Sequence, residues 1–151
     1  MSLAAIRDKW ATIMAGVSGM GVVHKYERWS AEWAPLLALY KTQAGIINGW
    51  CMMRRKTLSK RVPSLYVTRD HTFVWKGIYG LDDSAATELT FQDQIEAIQT
   101  AFDGQYNLGG LSGVVLAGPV QVAVVENRLF GSVLCHYGEL HYDVQERVAY
   151  T

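Results

Sequence analysis

The chain has two cysteines, three prolines and no excess charge of either sign, its fourteen basic residues balancing fourteen acidic ones in 151. Each shortage excludes something. Two thiols are too few for a disulfide framework, and Cys51 and Cys135 each lie in an apolar run, so both are expected to be buried and reduced, as in a cytoplasmic protein. Zero net charge removes the whole-protein field that draws in nucleic acid or an anionic membrane, so any such attraction must be local. No apolar run reaches the length of a membrane span. The glycine-broken "WATIMAGVSGMGVV" near the start lacks the apolar stretch and cleavage site of a signal peptide. Internal repeats and low-complexity tracts are also missing. With half its residues hydrophobic and 19% charged, the chain is expected to form one globular domain over residues 1–151.

What is present is periodicity. Leu3, Ile6, Trp10, Ile13, Met14 and Val17 recur at helical spacing behind Ser2, a good N-cap, and Gly16, Gly19 and Gly21 end the run. "VVHKYERW" (22–29) is rich in β-formers and reads as extended. Ser30 is placed to cap a short helix through "AEWAPLLALYK", with Pro35 near its first turn. Residues 46–56 and 65–79 read as strands, and "RRKTLSKR" (54–61) lies at the polar, Pro-containing connection between them, as the arm of a long β-hairpin. The clearest helix lies within 82–104. Phe91, Ile95, Ile98 and Phe102 make its apolar stripe, Gln92, Asp93, Glu96 and Gln99 its wet side, Asp83 or Ser84 its cap and Gly104 its stop. Residues 119–128 and 132–144 give two more strands with a turn near Phe130–Gly131. The fold class is therefore α+β: a mixed, mainly antiparallel sheet with a long β-hairpin, packed by two main helices.

The hairpin strands are apolar on both faces. Trp50 and Met52 alternate with Cys51 and Met53, and Phe73 and Trp75 with Val74 and Ile78. Such strands need cover on both sides. Two or three helices can supply it; an open sheet covered on one side would leave the other for a second subunit. The expectation is an oligomer, with Trp50, Met52, Phe73 and Trp75 as candidate subunit-interface residues.

Chemistry has few addresses. Glu139, His141 and Asp143 share one face of the last strand, where they could hold a divalent metal or act as acid and base; side chains on one strand splay rather than converge, however, and a polar outer face is the commoner explanation of such a trio. His136 has the opposite parity, in line with Leu134, Leu140, Tyr142 and Val144, and reads as a satisfied core histidine. His24 and His71 stand alone, and neither cysteine has a partner at zinc spacing. "LGGLSG" lacks the lysine and the following helix of a phosphate loop. "GVSGMG" has its glycines in the wrong order for a dinucleotide fingerprint, and no G-x-S-x-G elbow occurs. No catalytic residue, cofactor or metal is expected. The aromatics sit in the strand bodies, away from the bunched Lys and Arg, unlike a base-stacking platform, so no specific nucleic-acid binding is expected either.

The order of elements, together with "ELTFQDQIEAIQTAF" (88–102), "NLGG" (107–110) and "PVQVAVVENRLFGSVLCHYGELHYDV" (119–144), resembles the tail-terminator and tail-completion proteins of long-tailed bacteriophages. The quoted segments cover about half the chain. The resemblance implies a mixed sheet packed by two helices, a homo-hexameric ring that caps the finished tail tube and offers the head-joining surface, and no catalytic residues. Its partners would be further copies of itself, the tail tube and the head completion proteins; its place would be the host cytoplasm during assembly, then the virion tail. "SAEWAPLLALYK" departs from that pattern as an extra helical segment. Within this frame Arg54, Arg55, Lys56, Lys60 and Arg61 are candidate docking residues for an acidic partner surface. A small metal-dependent or acid–base enzyme built on Glu139, His141 and Asp143 is the rival reading, and a head–tail joining or other minor tail protein is the alternative within the class.

Overall fold

The computed structural model describes residues 3–150, so Ser2, the expected first cap, lies outside the described residues. Helix α1 spans Leu3–Ala15, strand β1 Val22–His24, helix α2 Trp33–Ala38, strand β2 Asn48–Val62 and strand β3 Tyr66–Gly80. A 3-10 turn at Asp83–Ala85 leads into helix α3, Thr87–Asp103, and strands β4 Val114–Ala117, β5 Gln121–Phe130 and β6 Val133–Ala149 complete the fold. All six strands belong to one mixed sheet in the order β1-β2-β3-β6, with β4 and β5 both paired to β6 and only β1–β2 parallel. The protein is α+β, with a long hairpin as its largest feature.

Helices α1 and α3 cover one face of the sheet. Ile6, Trp10 and Met14 of α1 and Phe91, Ile95, Ile98 and Phe102 of α3 pack on Trp50, Met52, Phe73, Trp75, Leu140, Tyr142 and Val144. Trp75 is the hub, its ring centroid 4.8 Å from both Phe102 and Tyr142 and 5.6 Å from Trp10. Packing so large an indole as Trp50 on a sheet needs bare backbone beneath it. Gly77 and Gly138 are cross-strand partners, and a Cβ on Gly77 would collide with the Trp50 ring, while one on Gly138 would press on Phe91. The two rings then stack with centroids 5.9 Å apart and planes 16° from parallel.

This overturns the interface expectation. Trp50, Met52, Phe73 and Trp75 all have 0% exposure within the single chain. Two helices cover them, so no surface of theirs remains for a second subunit. The opposite face is also partly covered from within: Leu36, Leu37 and Tyr40, of α2 and the residues just after it, pack on Cys51, Ile78 and Cys135. Two-faced apolar strands did demand two covers, but the six-residue α2 supplies the second over part of the sheet.

Several boundaries also differ from expectation. Only Val22–His24 of the 22–29 run is strand. Helix α2 begins behind Glu32 rather than Ser30, and α3 behind Ala86 rather than Asp83 or Ser84, neither with a side-chain cap. Thr87 instead closes the entry to α3, its hydroxyl oxygen accepting the Asp82 N–H at 2.9 Å. Most consequentially, the turn of the hairpin is at residues 63–65, so the basic cluster belongs to β2 itself and not to a loop.

Candidate functional site

β2 and β3 are fifteen residues each, and only their inner halves lie beneath the helices. From Arg54 onward β2 is mostly exposed, whereas β3 is half-buried from Tyr66 to Arg69 and exposed at Asp70. The outer half of the hairpin, with the end of β6 running beside it as far as Ala149, is thus a three-stranded arm. Six residues from Thr57 to Val62, at about 3.3 Å each, extend it roughly 20 Å. A bulge between Arg54 and Lys56 shifts the register, so that Arg54 and Arg61 face the helix side while Lys56 and Lys60 face the other. All five basic side chains are exposed. Because β1 pairs only with Gly49–Cys51, they lie along a stretch of β2 that has no outer neighbour among the described residues. Positive charge on a free edge discourages another strand from pairing there.

A polar bolt fixes the base of the arm. The Thr57 hydroxyl lies 2.7 Å from His71 Nδ1, and His71 Nε2 lies 2.9 Å from Glu146 Oε1, linking β2, β3 and β6. His71 and Glu146 are 3% and 2% exposed, so His71 does not stand alone as its sequence context implied. A hydroxyl–imidazole–carboxylate chain can activate an oxygen nucleophile only where substrate reaches it. Here the imidazole and carboxylate are sealed in the sheet, and the chain serves as a brace. Sequence spacing gave no hint of it, since Glu146 follows His71 by 75 residues, with α3, β4 and β5 between them.

Glu139, His141 and Asp143 do share the face away from α1 and α3, together with Tyr137. They do not converge. His141 Nε2 lies 3.8 Å from Glu139 Oε1, the Tyr137 hydroxyl donates to Glu139 Oε2 at 3.0 Å, and Asp143 is exposed with no part in the contact. Among the described residues no three His, Cys, Asp or Glu side chains are grouped closely enough to hold a metal. His136 is the core histidine its parity implied, its ring within 2.8 Å of the Thr87 hydroxyl and 3.0 Å of Asn127 Oδ1; burial lowers its pKa, against a smaller upward pull from Glu88.

The sequence reading missed two features. A cavity of about 240 Å³ opens between the 27–40 segment and the sheet, with Trp33, Tyr40, Phe130 and Tyr137 as aromatic walls and Cys51 and Lys76 among its lining. Two of its three lining cations are paired, Lys76 with Glu27 and Arg128 with Glu126 while stacked 3.7 Å over the Tyr137 ring, and the third, Arg28, lies 5.5 Å from the Tyr26 ring. The second is the outer edge of β5, which among the described residues pairs with β6 alone and exposes Val122, Val125 and Leu129. Periodicity could not reveal either, because both depend on which strands end up at the rim.

No protein-family model matches this chain, and no curated protein matches its sequence. No helix among the described residues is long and apolar enough to cross a membrane.

Proposed function

We propose that this chain is a structural tail-assembly protein of a long-tailed bacteriophage or prophage, working as a homo-oligomeric ring that caps the completed tail tube and offers the head-joining surface. The observation that carries this reading is the arm. A projecting, braced, three-stranded element with five exposed cations covers no core of its own chain, and such an element is useful chiefly to a neighbour. The residues that resemble tail-completion proteins form the rest of the scaffold, namely α3, β5 and β6. The arm and the free β5 edge replace Trp50, Met52, Phe73 and Trp75 as the surfaces through which copies and virion partners meet. An enzyme using Glu139, His141 and Asp143 has less support, because those side chains do not converge on a common point.

The test is to measure the mass of purified protein in solution by light scattering, then image it by electron microscopy with isolated tail tubes. A closed ring seated at one tube end supports the proposal. A protein that stays monomeric at all concentrations and leaves the tubes bare overturns it.

A further inference from the structure

The charges of this neutral chain are segregated. Residues 54–61 contain five basic side chains and no acid, whereas residues 82–104 contain Asp82, Asp83, Glu88, Asp93, Glu96 and Asp103 and no Lys or Arg. Every one of these side chains is exposed. None enters an ion pair among the described residues, whose ion pairs involve other side chains. One molecule therefore carries two unneutralised surfaces of opposite sign, on different elements: the free edge of the β2 arm and the outer side of α3.

Shape accompanies charge. Between the end of α1 and the middle of α3 lies an open groove of about 510 Å³, with Val17 and Ala97 in its lining and Asp93 and Glu96 on its α3 wall. At the tip of the arm, just past Lys60 and Arg61, Leu65 is 63% exposed on the turn. Strand-to-strand pairing of copies along β2 is opposed by the basic edge itself, whereas a helix surface bearing acids has no such objection.

We propose that the arm of one copy docks on α3 of the next, with Leu65 at its tip entering the neighbour's groove between α1 and α3, and with Arg61 from one face of the arm and Lys60 from the other reaching around the edge to its Asp93 and Glu96. This rests on the ring reading above and deepens it by naming the two surfaces and their partner, a second copy of this chain. The surfaces differ, so the contact is head-to-tail: each copy offers one arm and one groove, which is the condition for a closed ring or an open filament rather than a two-fold dimer. The rim charges set approach and orientation, and the buried leucine adds apolar area. Because the charges are exposed, salt weakens the contact.

The experiment uses two double variants of the full chain, Lys60→Glu/Arg61→Glu on the arm and Asp93→Lys/Glu96→Lys on the helix, with melting curves to confirm that both fold. Each alone presents like charges at every contact, and its self-association should weaken by at least about tenfold in light scattering or sedimentation. Mixed in equal amounts they become complementary at both contacts, because an acidic arm meets a basic helix and a basic arm meets an acidic helix. The mixture should assemble, and high salt should reduce that assembly. Leu65→Ser, which alters no charge, should also weaken wild-type association. If wild type assembles and both variants assemble equally well alone, or if the mixture stays monomeric, the proposed contact is overturned while the ring reading survives. If wild type itself is monomeric throughout, both fall.

Discussion

Gln94 is the polar residue whose loss should be felt most. It sits on the buried side of α3, 4% exposed, among the apolar residues of the stripe. Its Oε1 accepts the Trp50 indole N–H at 3.0 Å, and its Nε2 donates to the Gly19 carbonyl at 2.9 Å and to Asn48 Oδ1 at 3.0 Å. The Gly19 carbonyl keeps a second donor, Asn48 Nδ2 at 3.0 Å. Removing the Gln94 amide therefore strands two groups, the Trp50 N–H and Asn48 Oδ1, at about 1–3 kcal/mol each. Gln94→Ala leaves room for a water to re-pair part of this, so a loss of about 2–4 kcal/mol is expected. Gln94→Leu fills the space and excludes that water. Its loss should equal or exceed that of alanine even though it gains apolar area. At about 2–4 °C per kcal/mol for a chain of this size, the melting temperature should fall by roughly 4–16 °C. The exposed neighbour Gln92→Ala should stay within about 0.5 kcal/mol of wild type. Urea unfolding followed by circular dichroism, alongside thermal melts, measures all three. A Gln94→Leu protein that melts at or above wild type would show that area, and not the amide's bonds, is what matters at this site.

Asp placed at Trp50, Met52, Phe73 or Trp75 should prevent folding rather than dissociate an oligomer, because each would bury an unpaired charge in the single-chain core; soluble, folded but dissociated variants by sedimentation and circular dichroism would contradict this. His136 has a lowered pKa in the folded chain, so the unfolded state binds the proton more readily; its contribution to stability is present above the unfolded value, about 6.5, and is lost as pH falls through the lower folded value. Melting curves from neutral to mildly acidic pH should show that loss, and His136→Gln should flatten it. Burial raises the Cys51 thiol and pushes Cys135 up to about 11, so neither should react with a thiol reagent at neutral pH until denaturant is added; prompt labelling of the native protein would refute their burial. Changing Arg54, Arg55, Lys56, Lys60 and Arg61 together to Ser should leave the melting temperature nearly unchanged, since all five are exposed without ion pairs, while impairing assembly measured by light scattering.

Helical spacing carried most of the reading that held. The stripe Phe91, Ile95, Ile98 and Phe102 is buried as its period required, and parity along β6 placed His136 inward and Glu139, His141 and Asp143 outward. Alternation also revealed that the hairpin strands need two covers, but not what supplies them. That answer depends on α2 reaching across the far face and on α1 lying over Trp50 and Trp75, which are long-range facts. Gln94 was unreadable for a related reason: its partners, Trp50, Asn48 and Gly19, come from three other segments. The extent of β2 was hidden by its composition. Lys, Arg and Ser are poor strand formers, and their presence at 54–61 suggested a loop, whereas pairing with β3 on one side was enough to hold them extended. The basic arm was legible as charge and only became geometry once the turn moved to residues 63–65.

β6 touches three other strands, pairing with β3 along its length and with β5 and β4 on its far side. β5 reaches β6 through a tight turn, Phe130 facing Val133, but β3 is remote along the chain; Tyr66 meets Ala149 and Gly80 meets Cys135. The sheet cannot form by adding neighbours in sequence, since the strand at its middle comes after every strand it joins. Chains dominated by such distant pairings close large loops before gaining contacts, and they fold slowly for their size. While β6 is undocked, β3 and β5 are left with bare edges, and the two-faced apolar stretch of the hairpin is open to the wrong partner. The basic residues on β2 would then act during folding too, repelling like chains while these edges are still bare.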